Sequence, residues 1–205
     1  PLILDAQMQT GCPVAQRLMC PRVRQALASP WEVDNDMRPT LLMTAIRGDC
    51  LEWGVTAQEA FTSITDHFHG TTDPSLRHHL LYSLPAAKDA SLLMAGIDFA
   101  RANLPAMCAT PSTNPVQVMC ASDWTAILNA VVKNPRGGAR IAWEWLKPKL
   151  QDPQVYSQRV LSIICNGISS QDVLDDMQRT FGITPAEINP DDHPALYSVQ
   201  QNIAR

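Results

Sequence analysis

Between Asn129 and Lys149 the chain reads NAVVKNPRGGARIAWEWLKPK, and no other stretch constrains the fold as tightly. An apolar run ends near Val132, the polar group Asn134, Pro135, Gly137 and Gly138 follows, and a second apolar run begins. Proline cannot continue a helix, because it has no amide hydrogen and its ring clashes with the preceding turn, while glycine tolerates the left-handed backbone that closes helix ends. Ile141, Ala142, Trp145 and Leu146 recur at helical spacing and predict a buried face. Two helices joined through a tight corner are therefore expected, with Trp143 or Trp145 as the buried anchor.

The rest of the chain supplies partners for such a hairpin. Helices are predicted over Pro13 to Ala28, with Val14, Leu18, Val23 and Leu27 inside and Pro21 as a kink or break, and over Met37 to Arg47, with Asp36 as cap and Gly48 as stop. Further helices are expected over Ala57 to Phe68, Leu76 to Leu84, Asp89 to Ala102, Trp124 to Lys133 (capped by Ser122 or Asp123), Gln154 to Cys165, Ser170 to Phe181 and Pro194 to Arg205. Asn103 to Val118 contains three prolines and no clear period, which reads as loop. No strand stands out, and helix starts are unevenly spaced, so no repeat of the tetratricopeptide kind is present. The expected fold is all-α, with antiparallel helix pairs stacked into a superhelical arc of the HEAT or armadillo sort, as a single helical domain over residues 1–205.

Composition narrows the partners. Across 205 residues, 45% are hydrophobic and 18% charged, enough apolar material for a sizeable core and too much for disorder. A net charge of −4 gives no electrostatic reason to expect nucleic acid. No run approaches the roughly 20 apolar residues of a membrane span, nor does one read as a signal peptide. The sequence opens on Pro1 rather than Met, as expected of a piece of a longer protein.

A search for chemistry finds little. Among the five histidines, His67 and His69 stand two apart, His78 and His79 are adjacent, and His193 lies in a turn; none has the His-x-x-x-His spacing, with a glutamate, that places two imidazoles on one helical face. Six cysteines, Cys12, Cys20, Cys50, Cys108, Cys120 and Cys165, form no CxxC pair, and no histidine is placed beside one to activate a thiolate. Reduced thiols packed in helices are expected, a local Cys12 to Cys20 bridge being the alternative. Arg136, Gly137, Gly138 and Arg140 suggest a phosphate cradle at a helix start, but the Lys-Ser/Thr of a phosphate loop is missing, and a plain helical corner is the expectation.

Four short blocks nevertheless stand in a suggestive order. Asn134-x-x-Gly137 followed by Ala142-Trp143-x-Trp145-Leu146 is similar to the "N..G...aW.fl..nw" element of the C-terminal helical domain of zinc aminopeptidases, the gluzincins with a Gly-Ala-Met-Glu-Asn exopeptidase motif. Met37-Arg38-x-x-Leu41-x-x-x-Ala45-Ile46, then Gly48 and Glu52-Trp53, resembles that family's "lR..vy..ai..G...eW". Arg77, Leu80, Leu81, Leu84, Lys88 and Asp89 match a third block, and Asp123 falls in a fourth. The match runs from about Gly11 to Ile203. It implies a non-catalytic domain that caps the active-site cleft and shapes the entry of peptide substrates, with zinc and the catalytic groups in an upstream domain of the same chain and no cofactor here. Arg38, Trp53, Asp123, Asn134, Gly137, Trp143 and Trp145 would then be structural, and Arg159 the candidate that faces substrate, by similarity to relatives that prefer acidic N-terminal residues.

Departures are informative as well. The resemblance implies a disulfide in secreted and lumenal members at two positions occupied here by Met43 and Ala86, whose joint loss favours a reducing compartment such as the cytoplasm or a divergent lineage, with a membrane-anchored ectodomain left open. The family's Arg and Gln ahead of Asp123 are Cys120 and Ser122, and its late Glu and Trp are Tyr197 and Arg205. A stand-alone helical-repeat module that binds a protein partner is the rival expectation.

Overall fold

The computed structural model describes residues 6–8, 10, 12–108, 121–153 and 155–204, with side-chain surroundings for all of these except 104–108 and 121–123. Among the described residues, residues 6–8 are helical and ten bounded α-helices follow: α1 (Pro13–Ala28), α2 (Arg38–Ile46), α3 (Ala57–Gly70), α4 (Pro74–Ser83), α5 (Ala90–Cys108), α6 (Ala121–Val132), α7 (Gly138–Leu146), α8 (Gln158–Gly167), α9 (Gln171–Phe181) and α10 (Pro194–Ile203). Short 3₁₀ turns join several of them, and there is no strand among the described residues. The fold is all-α.

Local chemistry explains most boundaries. Thr56 and Glu59 form a reciprocal capping box at the start of α3, satisfying two amide donors that the first turn leaves unpaired. Asp73 caps α4 through the Ser75 amide, and Ser157 caps α8 through that of Val160. Gly48 and Gly182 take positive φ after α2 and α9, the left-handed conformation that only glycine adopts cheaply.

Several expectations need correction. The inner face of α1 is Ala15, Met19, Cys20, Val23 and Ala26, while Val14 and Leu18 are 66% and 59% exposed. Both stripes have helical spacing, and the one built from small residues is buried because it lets α2 approach closely. Pro21 lies inside α1, which continues through it. Asp36 does not cap α2; its own amide donates to Asp34 Oδ1. Helix α5 extends to Cys108, through part of the segment read as loop; the remainder of that segment, 109–118, lies outside the described residues. Helix α6 runs from Ala121, so Ser122 and Asp123 sit in its first turn rather than ahead of it, and their side chains are outside the description. Helix α8 starts only at Gln158, where Ser157 provides the cap.

The cysteines differ most. Cys20 in α1 is bridged to Cys50 after α2, with Cα atoms 5.5 Å apart, while Cys12 and Cys165 are free. A Cys12 to Cys20 bridge is excluded by the helix itself, since eight residues rise by about 12 Å and a disulfide spans less than about 7 Å between Cα atoms. Cys108 and Cys120 lie outside the described side chains.

Each helix packs chiefly on its nearest and next-nearest neighbours: α1 on α2 and α3, α2 on α3 and α4, α5 on α6 and α7, α6 on α7 and α8, and α10 on α8 and α9. The turn Leu84–Ala86 packs against α2, α4, α5 and α6. Leu84 and Pro85 are buried in it, and it joins the first four helices to the rest. No described helix is long and apolar enough to cross a membrane.

Candidate functional site

The corner between α6 and α7 draws on both glycines, for different reasons. Gly137 adopts φ +84° in open surroundings, whereas a Cβ on Gly138 would stand 1.8 Å from the Val131 carbonyl oxygen. Asn134 fastens the corner to the Leu84–Ala86 turn, its Nδ2 donating to the Pro85 and Ala87 carbonyls at 2.8 Å each. Its Oδ1 accepts the Arg136 amide at 2.9 Å. Trp143 and Trp145 are 1% and 2% exposed. Their indole N–H groups donate to Asp176 on α9 (2.9 Å) and Asp98 on α5 (2.7 Å), so each ring is buried while its polar atom stays paired. Trp145 also packs against Trp124, and the Lys149 ammonium lies 4.6 Å from the centre of its ring.

Arg38 is 5% exposed and donates to the carbonyls of Pro30 (2.7 Å) and Val33 (2.9 Å). A buried guanidinium thus organises the loop ahead of α2 through backbone acceptors. Trp53 ends the short turn Leu51–Trp53 with its side chain 39% exposed, and its carbonyl accepts from Arg24.

Among the described residues, the histidines and cysteines do not come together as a catalytic set. His67 Nε2 lies 2.6 Å from the Leu27 carbonyl, His69 packs against Phe68 and Phe99, and His78 stacks on Tyr82. His79 Nδ1 is buried without a partner, and burial, helped by the charges of Arg38 and His78, pushes its pKa down. Cys165 is buried, and desolvation drives its thiol up to about 12, far from the thiolate a nucleophile requires. No cluster of three His, Cys, Asp or Glu side chains suited to a metal ion occurs among the described residues.

Arg159 lies exposed in the first turn of α8 and makes no ion pair among the described residues. The nearby Asp172 is taken by Arg140. With Arg140 paired in this way and the Gly138 amide donating to the Asn134 carbonyl, neither group is left open for a phosphate at this helix start.

A cavity of about 390 Å³ opens instead on the other side of the corner, between α2, the Leu84–Ala86 turn and the end of α6. Four cationic side chains line it, Arg47, Lys88, Lys133 and Arg136, and none of the described lining residues is acidic. Met43 and Ala86 contribute to its apolar wall. The sequence did not show this group because Arg47, Lys88 and the pair Lys133 and Arg136 come from three separate stretches and are gathered only when the 84–86 turn docks.

Compared with known proteins, the chain matches no protein-family model and no curated protein sequence.

Proposed function

We propose that the chain is a non-catalytic helical domain of a zinc-dependent aminopeptidase, the C-terminal part that caps the cleft and limits which peptides enter. The observation that carries this reading concerns positions 43 and 86. The resemblance implies a disulfide between them in relatives, and here Met43 and Ala86, 43 residues apart in sequence, line one cavity between α2 and the 84–86 turn. Sequence alone gave no reason for that proximity. The residues that define the other blocks also lie at junctions: Arg38 holds the loop before α2, Asn134 ties the corner to the turn, and Trp143 and Trp145 each reach an aspartate on a different helix. Zinc belongs, on this reading, to the upstream domain of the same chain.

The helix-pair stacking is consistent with an arc whose concave side faces a peptide chamber, and Arg159 is the side chain proposed to face it. Being exposed and without a carboxylate partner among the described residues, it is available to donate to an acidic substrate residue. In the full-length protein Arg159→Ala should weaken turnover of substrates with acidic N-terminal residues more than neutral ones; equal loss for both would assign it to the surface instead. The domain reading itself is tested by the upstream coding sequence, which should contain His-Glu-x-x-His and a distal glutamate. Its absence would favour an independent scaffold. The Met43→Cys, Ala86→Cys double variant gives a second check, since oxidation should join the new thiols without loss of helicity.

The Cys20–Cys50 bridge bears on where such a protein resides. Disulfides persist in oxidising compartments, so this pair reverses the inference drawn from the loss of the other, and we place the domain in an extracytoplasmic or lumenal setting.

A further inference from the structure

The chain carries net charge −4, yet among the described residues the cavity beside the α6–α7 corner is lined by four cations and no acid. The carboxylate closest to this group, Asp49, has a side chain only 3% exposed and is held by Arg47 Nε at 2.7 Å and Lys88 Nζ at 2.5 Å. It fixes those two cations from behind and neutralises one charge, leaving three. Lys133 and Arg136 are exposed, and their side chains make no hydrogen bond or ion pair among the described residues. The volume, about 390 Å³, falls in the range of small-molecule sites, and Met43, Pro85 and Ala86 provide an apolar wall.

We propose that this cavity binds a small phosphate ester, with the phosphate among Arg47, Lys88, Lys133 and Arg136 and the organic body against Met43 and Ala86. Charge decides the class. A single carboxylate would leave most of the positive charge uncompensated, while a phosphate monoester brings about −1.5 to −2 and three acceptor oxygens. Arg47 is held by Asp49 and also donates to Thr44 Oγ1 at 3.3 Å, so it contributes fixed positive charge to the cavity wall, and the direct donors to the phosphate are Lys133 and Arg136. Lys133 and Arg136 are free to close on the ligand from the rim. This inference does not depend on the aminopeptidase reading, because it rests only on the cavity and its charges.

Calorimetric titration of the chain with phenyl phosphate, benzoate and inorganic phosphate tests it. Phenyl phosphate should bind saturably at one site, about tenfold or more tighter than benzoate or inorganic phosphate. The Lys133→Ser, Arg136→Ser double variant should weaken it by at least about tenfold, and Arg140→Ser, whose guanidinium is paired with Asp172 on the far side of the corner, should leave it unchanged. Non-saturable binding, benzoate binding as tightly, inorganic phosphate binding as tightly, or an equal loss in Arg140→Ser would each overturn the proposal. If the double variant does not fold, amide shifts in the unaltered chain decide: phenyl phosphate should move residues 47, 88 and 133–136, and movement elsewhere alone would refute the site.

Discussion

At positions 137 and 138 two adjacent glycines face different constraints, and substitution separates them. Gly137→Ala meets no atom within 4 Å but must hold φ +84°, a cost of about 1 to 2 kcal/mol. Gly138→Ala would drive a methyl into the Val131 carbonyl, so the corner must open, and a loss above about 3 kcal/mol is expected. Chemical melts of the two variants should therefore differ clearly, and equal losses would mean that the close approach is not real. Trp145→Ala should cost about 3 to 5 kcal/mol, and it also leaves Asp98 without its indole donor. Acid sensitivity should come in two windows. The His79 pKa is depressed by burial first and then by Arg38 and His78, so the unfolded chain binds the proton more readily and stability falls as pH drops below about 6.5. The Asp176 pKa is lowered by hydrogen bonds from Lys147 and then Trp143, so its contribution is present above about pH 4 and is lost as pH falls through its folded value. Urea melts across pH should show His79→Gln removing the upper window and Asp176→Asn only reducing the lower, since hydrogen bonds also hold the pKa values of Glu59, Asp89, Asp172 and Glu187 down.

Elements were legible where apolar periodicity and end signals agreed. Helix α1 was bounded correctly from Pro13 to Ala28, and of its expected inner face Val23 is buried and Leu27 packs against the core, but Val14 and Leu18 are exposed, because Ala15 and Ala26 carry little hydrophobic signal while Val14 and Leu18 carry much. The extension of α5 to Cys108 was hidden by Pro105, whose presence in a helix is costly and argues for a break from sequence alone. The Cys20–Cys50 bridge was illegible because it depends on how α1 crosses the end of α2, a tertiary fact. Closing a loop with a sequence separation of 30, it should stabilise the domain by about 3 to 4 kcal/mol in the loop-entropy account. Cys20→Ala, Cys50→Ala, or reduction of the unaltered chain, should lower stability by that order, measured by denaturant unfolding with and without reductant; no difference would mean that the thiols are not joined in solution. Of the candidate site, the tryptophan hairpin was readable from spacing, whereas the cationic cavity was not, since Arg47, Lys88 and Lys133 come from separate elements.

Across the whole molecule, packing between close neighbours in sequence makes the 84–86 turn the main junction between α1–α4 and α5–α10. Asn134 is its chief polar fastening, and Asn134→Ala leaves two carbonyl acceptors without that donor, a loss of about 1 to 3 kcal/mol. Because the damage falls at the junction, unfolding followed by Trp fluorescence and by circular dichroism should cease to coincide, whereas a substitution within one helix would keep one transition. The same arrangement sets how the chain reaches its native state. Nearest and next-nearest packing means low contact order, so folding should be quick for the chain's length and free to begin in either group of helices. Hydrogen exchange would register this as two sets of amides with separate protection, α1–α4 and α5–α10, which merge only when residues 84–86 are closed over by Asn134.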